Sequence, residues 1–193
     1  RNTGQLAEMI RAEEVLTGAS QLRFFAGAAR LQAGVASGEY AEGLNSQIRR
    51  EPIGVVGQIV PWNYPFMMLI WKVGPALAAG NTVVLKPSAN TPESAIVFAE
   101  IASEILPPVV FNLVLGTGET GRPRSSHPVR GLVALTGSVR AGSDLAEQAA
   151  GNVTRVHLEL GGKAPAVVFA DADIEAAAEG IAAAGIFNSG QDC

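Results

Sequence analysis

From residue 53 onward the sequence runs through short apolar stretches rich in β-branched residues, each set off by Gly or Pro: Ile53 to Val60, Thr82 to Leu85, Val110 to Leu115, Leu132 to Leu135, Val156 to Leu160 and Ala166 to Phe169. Stretches that are apolar at consecutive rather than alternate positions suit strands covered on both faces. Helical patterns stand between them. They are Pro65 to Ala79, a helix opened by Thr91 as N-cap with Pro92 and Glu93 in its first turn, Ser138 to Ala150, and Asp173 to Ala184. Alternating strands and helices with short connections leave few topologies, and right-handed βαβ units in an open parallel sheet are the simplest. The expected fold class is therefore α/β, with a three-layer, Rossmann-like parallel sheet. Before it, Leu6, Met9, Ile10, Leu22, Phe25 and Ala29 recur at helical spacing, and Thr17-Gly18 reads as a break between two N-terminal helices.

Composition excludes several classes of function. A chain that is 48% hydrophobic and 17% charged has the make-up of a packed globular protein rather than a disordered one. Its net charge is -4 and its basic residues are scattered, so it lacks the stripe that a nucleic-acid partner would require. One cysteine and two isolated histidines, His127 and His157, give neither a disulfide nor a metal-ligand spacing; no metal is expected, and the usage fits the reducing cytoplasm. The stretch from Pro52 to Trp71 carries no charge over twenty residues, enough on paper to span a bilayer. However, Pro52, Pro61, Pro65, Gly54, Gln58 and Asn63 interrupt it, and backbone left unpaired in lipid is costly, so it reads as strand, turn and helix start with no membrane span. The chain opens on Arg1 without an initiator Met or signal peptide and stops on Cys193 after a small polar run, so both ends read as cut.

In open α/β sheets, ligands bind beyond the carboxyl ends of the strands. Four polar groups belong there: Asn63 after the first stretch, Lys86 after the second, Thr136-Gly137-Ser138 after the fourth, and Glu159 near the end of the fifth. Each also has a plain structural reading. Asn63 could be a turn residue bonding local backbone, and Lys86 a solvated strand end. Ser138 is first an N-cap, although a capped helix N-terminus with free N–H groups also suits phosphate. Arg155, His157 and Glu159 share one face, which is either an exposed edge strand or a place where burial lifts a carboxylate toward the range of a general base.

Gly116 to Gly121 completes a G-x-G-x-x-G pattern after a strand. Arg122-Pro123 should interrupt the helix that belongs there, and Thr136-Gly137 occupies the place of the ribose acid about twenty residues on. Gly137 to Gly142, opening a clean helix, is the better phosphate cradle. A lone cysteine is usually a small buried hydrophobe; beside an upstream carboxylate, amide and phosphate cradle, Cys193 also reads as a nucleophile.

Six blocks, taken together, resemble the aldehyde dehydrogenase superfamily in order and spacing over essentially the whole chain: Pro61 to Pro65, Trp71-Lys72, Gly80 to Ser88, Leu135 to Ser138, Leu158 to Lys163, and Gly190 to Cys193. Arg23 to Arg30, Gly38 to Tyr40 and Asn188 to Cys193 look most like the γ-aminobutyraldehyde dehydrogenase branch, near the betaine aldehyde enzymes. The resemblance implies an N-terminal helical segment at 1–47 and an NAD(P)-binding domain at 48–193, cut at the start of the catalytic domain. It implies Cys193 as nucleophile, Glu159 as general base and Asn63 as oxyanion donor, with Gly161-Gly162 letting the base swing aside. Cofactor contacts would fall on Trp62, Lys86, Ser88, Gly118, Gly137, Ser138 and Leu160, with Lys86 on the adenosine ribose and Ser138 with Trp62 at the pyrophosphate.

Oxidation would pass through a thiohemiacetal and a thioester, with NAD or NADP as acceptor, in a homo-oligomer. Tyr64, Met67, Met68 and Trp71 recur at i, i+3, i+4 and i+7, so Tyr64 and Trp71 could form part of a cage for a cationic aldehyde such as 4-aminobutanal. Three departures accompany the resemblance. The family's downstream ribose glutamate lies beyond Cys193, Gly121 to Ser126 replaces a small apolar run and should shorten the helix under the adenine pocket, and Ala89 stands where many relatives carry Glu. An acylating, coenzyme A-dependent relative and a non-catalytic cofactor-binding module remain alternatives.

Overall fold

The computed structural model describes residues 2–31, 37–125 and 130–192. Helix α1 (Ala7–Met9) passes into a π-helical stretch (Ile10–Leu16) and then α2 (Thr17–Ala28) without the break expected at Thr17-Gly18. Gly18 serves packing instead. A β-carbon there would lie 3.2 Å from Ile70 and 3.3 Å from Phe66, and one at Gly74 would lie 2.6 Å from Phe25. Each helix thus presents a glycine to the other's bulky side chain, which lets α2 lie close on α3 (Pro65–Ala78).

The 1–47 stretch also holds an antiparallel hairpin, β1 (Gly38–Ala41) and β2 (Leu44–Ser46), turned at Gly43 with φ 74. Such a positive φ is readily open to glycine.

The main sheet contains β3 (Val55–Ile59), β4 (Thr82–Lys86), β5 (Phe111–Leu113), β6 (Arg130–Gly137) and β7 (Arg155–Leu160), all parallel, in the order β5-β4-β3-β6-β7. Helices α3, α4 (Glu93–Ile105), α5 (Gly118–Ser125) and α6 (Val139–Ala150) connect them, and α7 (Ile174–Ile186) follows β7. The α/β, Rossmann-like expectation holds. One expected strand does not form: Ala166 to Phe169 has no regular structure, and Val167 and Phe169 are exposed. β-branched composition is insufficient without a neighbouring strand to complete the ladder.

Two helix starts also differ. The Thr91 hydroxyl is buried and makes no hydrogen bond, while the carbonyl of Pro92 accepts from Ala95 and Ile96, so Pro92 rather than Thr91 heads α4. Helix α5 runs through Pro123 to Ser125, where Arg122-Pro123 was expected to interrupt it. Ser138 caps α6 as expected, its Oγ accepting from the Ala141 N–H at 3.2 Å, and Asp173, read only as a helix start, caps α7 with Oδ1 accepting from the N–H groups of Glu175 and Ala176.

Apolar packing separates onto the two sides of the sheet. Leu69, Ile70 and Val73 of α3 are wholly buried against Val83 and Leu85 of β4. Val133 and Leu135 of β6 pack against Leu145 of α6. Burying each such branched side chain contributes about 1.5–3 kcal/mol.

Strand β6 meets β3 with a local irregularity, Val55 pairing with Arg130 but Val56 with Leu132, which leaves Gly131 as the extra residue. A β-carbon at Gly131 would lie 2.5 Å from the Ile53 carbonyl oxygen, a contact that only backbone movement relieves. Gly131→Ala should therefore destabilise the fold by about 1–3 kcal/mol, as overpacking does. The melting temperature should fall by about 2–4 °C per kcal/mol, and an unchanged melting curve would contradict the close approach.

Candidate active site

The strand order reverses between β3 and β6: from β3 the chain builds outward to β4 and β5, then returns to place β6 on the other side of β3. Connections leaving the carboxyl ends of β3 and β6 diverge there and open a crevice. Asn63 lies in the first connection and Ser138 opens the second.

Register decides which side each residue faces. Lys86, Ile59, Leu135 and Leu158 are aligned across four strands, and residues aligned in this way share a face. On that face Ile59, Lys86 and Leu135, with Gly118, Gly121 and α6, line a cleft of about 560 Å³. Lys86 is buried rather than solvated, and its Nζ donates to the carbonyls of Pro87 at 2.6 Å and Gly116 at 3.0 Å. The α6 wall consists of Arg140, Ala141, Asp144, Leu145 and Gln148, one stripe at helical spacing. Arg140 and Ala141 fall within the Gly137 to Gly142 cradle read from the sequence, whereas Asp144, Leu145 and Gln148 were not singled out, although their spacing on the helix after Ser138 was legible.

Glycines set the approach of the elements. A β-carbon at Gly142 would lie 2.6 Å from Leu160, so this glycine seats α6 against β7. Of the other cofactor candidates, Ser88 accepts from the Asn90 N–H through Oγ, Gly137 accepts from the Gly161 N–H, and Leu160 packs beside the cluster formed by Leu135 and Leu145. Trp62 is 46% exposed and lies apart from the α6 cleft, in a second cavity of about 120 Å³ that it shares with Gln5, Asn63, Asn188 and Gln191.

Asn63 does more than turn the chain. Its Nδ2 donates to the Gln191 carbonyl at 2.9 Å, and its own carbonyl accepts from Asn188 Nδ2 at 3.1 Å. The helix that begins just after it is capped from a distance: Glu14 Oε2 accepts from the N–H groups of Phe66 at 2.9 Å and Met67 at 3.0 Å. Burial pushes the Glu14 carboxyl above its ordinary value, and these two bonds oppose the shift. Cys193 lies outside the described residues.

Glu159 pairs in register with Thr136, one position along, and so faces the α3 side of the sheet rather than the cleft. Its side chain is 64% exposed, and His157 Nε2 stands 3.3 Å from Oε1. β7 is an edge strand of the sheet, the first of the two readings of its polar face, and the Glu159 carboxylate is not buried as the second reading had it. Gly161 and Gly162 have open space around them.

Facing Glu159 from α3 is Lys72, the one charge in an otherwise apolar helical stretch. Burial lowers its pKa to about 8, and the Glu159 charge acts in the opposite sense. Tyr64 and Trp71 do not form a shared open face: Tyr64 is 5% exposed and belongs to the core with Met68, whereas Trp71 is 48% exposed.

The lowered Lys72 pKa gives a stability profile with a definite sign. A depressed pKa favours the neutral amine in the folded state, so stability is lost as pH falls from 10.5 through about 8. Lys72→Met should be more stable than wild type below that range, by no more than about 3 kcal/mol at 1.36 kcal/mol per pH unit. The difference should vanish as pH rises through the range, as measured by denaturant unfolding at a series of pH values. Glu159→Gln should move the transition to lower pH.

The sequence matches the aldehyde dehydrogenase family over residues 1–193. It is 46% identical over 192 residues to lactaldehyde dehydrogenase of Escherichia coli (strain K12), covering 98% of this chain and 40% of that one. Against phenylacetaldehyde dehydrogenase of Pseudomonas fluorescens it is 44% identical over 200 residues, covering 100% of this chain and 40% of the relative. The solved structure of PnpE in complex with nicotinamide adenine dinucleotide matches the fold with a TM-score of 0.94 at 43% identity, over 100% of this chain and 40% of that one. The chain thus spans about 40% of the length of these relatives. On the match over residues 1–193, and with a parallel sheet at whose switch point Asn63 and Ser138 stand, the chain belongs to the aldehyde dehydrogenase family.

Proposed function

We propose that the protein oxidises an aldehyde to a carboxylic acid with NAD or NADP as hydride acceptor, and that this chain supplies Cys193, Glu159 and Asn63 as nucleophile, general base and oxyanion donor. The observation that carries this reading is the bond from Asn63 Nδ2 to the Gln191 carbonyl, which ties the proposed donor to the backbone two residues before the nucleophile.

The α6 cleft fits the adenosine end of the cofactor. Its volume of about 560 Å³ lies within the ~300–1,000 Å³ range of small-molecule sites. Ile59, Leu135 and Leu145 offer apolar walls, and Lys86 brings an ammonium group. The N-terminus of α6 offers backbone N–H groups suited to phosphate. When bound, the nicotinamide supplies a hydride acceptor.

The Cys193 thiolate would add to the aldehyde carbon, with the Asn63 amide and the Cys193 N–H donating to the oxygen that becomes negative. Once the hydride has left, the carbonyl remains as a thioester on Cys193. Glu159 takes a proton from water, the resulting hydroxide attacks the thioester, and the acid departs with the thiolate restored. The open space around Gly161 and Gly162 gives Glu159 room to approach and withdraw.

An aminoaldehyde such as 4-aminobutanal is the proposed substrate, in a cytoplasmic homo-oligomer. The blocks Arg23 to Arg30, Gly38 to Tyr40 and Asn188 to Cys193 support that branch, and the half-exposed Trp71 ring offers a face to an ammonium group. Equal specificity constants for 4-aminobutanal and an uncharged aldehyde of the same length would refute the cationic preference. Release of free acid without coenzyme A separates this reading from the acylating one.

Cys193→Ser in the intact protein should lower turnover by ~10²-fold or more, the loss typical of a catalytic group. Glu159→Gln should keep a single burst of reduced cofactor in stopped flow but slow the steady state, since only thioester hydrolysis needs the base. Wild-type steady-state turnover in either variant would remove that residue from the mechanism. Ala89 contributes no carboxylate to repel a 2′-phosphate, so the specificity constants for NAD and NADP should differ by less than about a hundredfold, roughly 2.7 kcal/mol. Ala89→Glu should shift the preference toward NAD, and a preference for NAD above about a thousandfold in the wild type would overturn this assignment.

A further inference from the structure

The backbone leading to Cys193 is strained. Asn188 and Ser189 have φ of 48 and 58, and Gly190 follows with φ 74, giving three consecutive left-handed residues of which two carry side chains. Non-glycine residues in this region persist only where their surroundings over-determine them.

The surroundings here are side-chain amides from distant parts of the chain. Asn188 Nδ2 donates to the Asn63 carbonyl and to the Gln191 carbonyl, both at 3.1 Å. Its Oδ1 accepts from Gln5 Nε2 at 2.6 Å, and the same Gln5 nitrogen donates to the Asn63 carbonyl at 3.3 Å. Asn63 Nδ2 closes the ring on the Gln191 carbonyl at 2.9 Å. The amides of Gln5, Asn63 and Asn188 therefore cross-link the N-terminal segment, the turn after β3 and the approach to Cys193.

We infer that Gln5 and Asn188 are positioning residues that hold the Asn63 amide and the run into Cys193 as one rigid unit; this rests on the roles proposed above for Asn63 and Cys193. An amide has two N–H donors. With one Asn63 N–H committed to Gln191, the plane of the amide is set and the direction of the second N–H with it. The carbonyls of Asn63 and Gln191 each accept two bonds, so neither peptide rotates without breaking both. Correct placement of such groups affects rate more than affinity, because its benefit arises where charge develops.

Only the donor end of Gln5 takes part. Its Oε1 is buried without a hydrogen-bond partner, so a side chain that donates and accepts nothing should substitute for it. This separates positioning from mere packing. In the intact enzyme, Gln5→Leu, which keeps the bulk and loses the donor, should lower kcat by tenfold or more. Cofactor KM should stay within about twofold and the melting temperature nearly unchanged. Gln5→Lys, which retains a donor, should recover most of the rate. Asn188→Gly should also lose tenfold or more in kcat, although it relieves the backbone strain, because it removes all three side-chain bonds. Alkylation of Cys193 by iodoacetamide should change in rate in the same variants and return with Gln5→Lys.

Wild-type kcat in both Gln5→Leu and Asn188→Gly, with Cys193→Ser inactive, would overturn the inference and leave the proposed function standing. A loss of kcat matched by lost cofactor affinity or lost folded protein, or one that Gln5→Lys fails to restore, would overturn it too. If the wild type reduces neither cofactor with an aldehyde, or Cys193→Ser retains full turnover, the proposed function itself fails.

Discussion

The row formed by Lys86, Ile59, Leu135 and Leu158 across four parallel strands is the constraint on which the rest of the structure depends. Side chains alternate along a strand, so a slip of one residue in any pairing would turn a whole strand over. With the row in place, Lys86 enters the cleft on the α6 side, and Glu159, one position beyond it, faces α3 and Lys72. The sheet thereby separates a side that carries the cleft from a side where the Glu159 charge acts on the buried Lys72. Gly131, itself the extra residue of β6, takes up the irregularity against β3 before the aligned positions begin.

Most of this architecture was legible in the residues, and the remainder was not for identifiable reasons. Strand stretches, helix starts and helix caps are local signals, so the strand within Ile53 to Val60, the helix start at Asp173 and the cap at Ser138 read correctly. Gly18 was misread because a glycine that breaks a helix and one that admits a neighbouring helix look alike until Phe66 and Ile70 are known to face it. Ala166 to Phe169 has strand composition but no strand. Thr91 precedes a Pro-Glu pair as a cap should, yet its hydroxyl is buried and makes no bond.

The candidate site divides along the same line. Asn63, Lys86 and Ser138 follow strands, and a general rule about parallel sheets located them before any geometry was known. Glu14, Gln5 and Asn188 lie far from those strands in sequence, and their importance comes from contacts across 52 to 183 residues. No period or spacing encodes such contacts. Lys72 is intermediate, since a single charge in an apolar helix signals a role, but its partner on β7 appears only through the register.

Gly142 sets a dimension of the molecule. Because Gly142 has no side chain, α6 sits as near β7 as the Leu160 side chain allows, and its inner stripe defines the far wall of the cleft. The gap between Lys86 and that wall is thus governed by a residue outside the cleft lining. Enlarging Gly142 would act as a shim, displacing the whole wall while leaving its chemistry intact. The width of the cleft can therefore be reset from beneath it rather than from inside it.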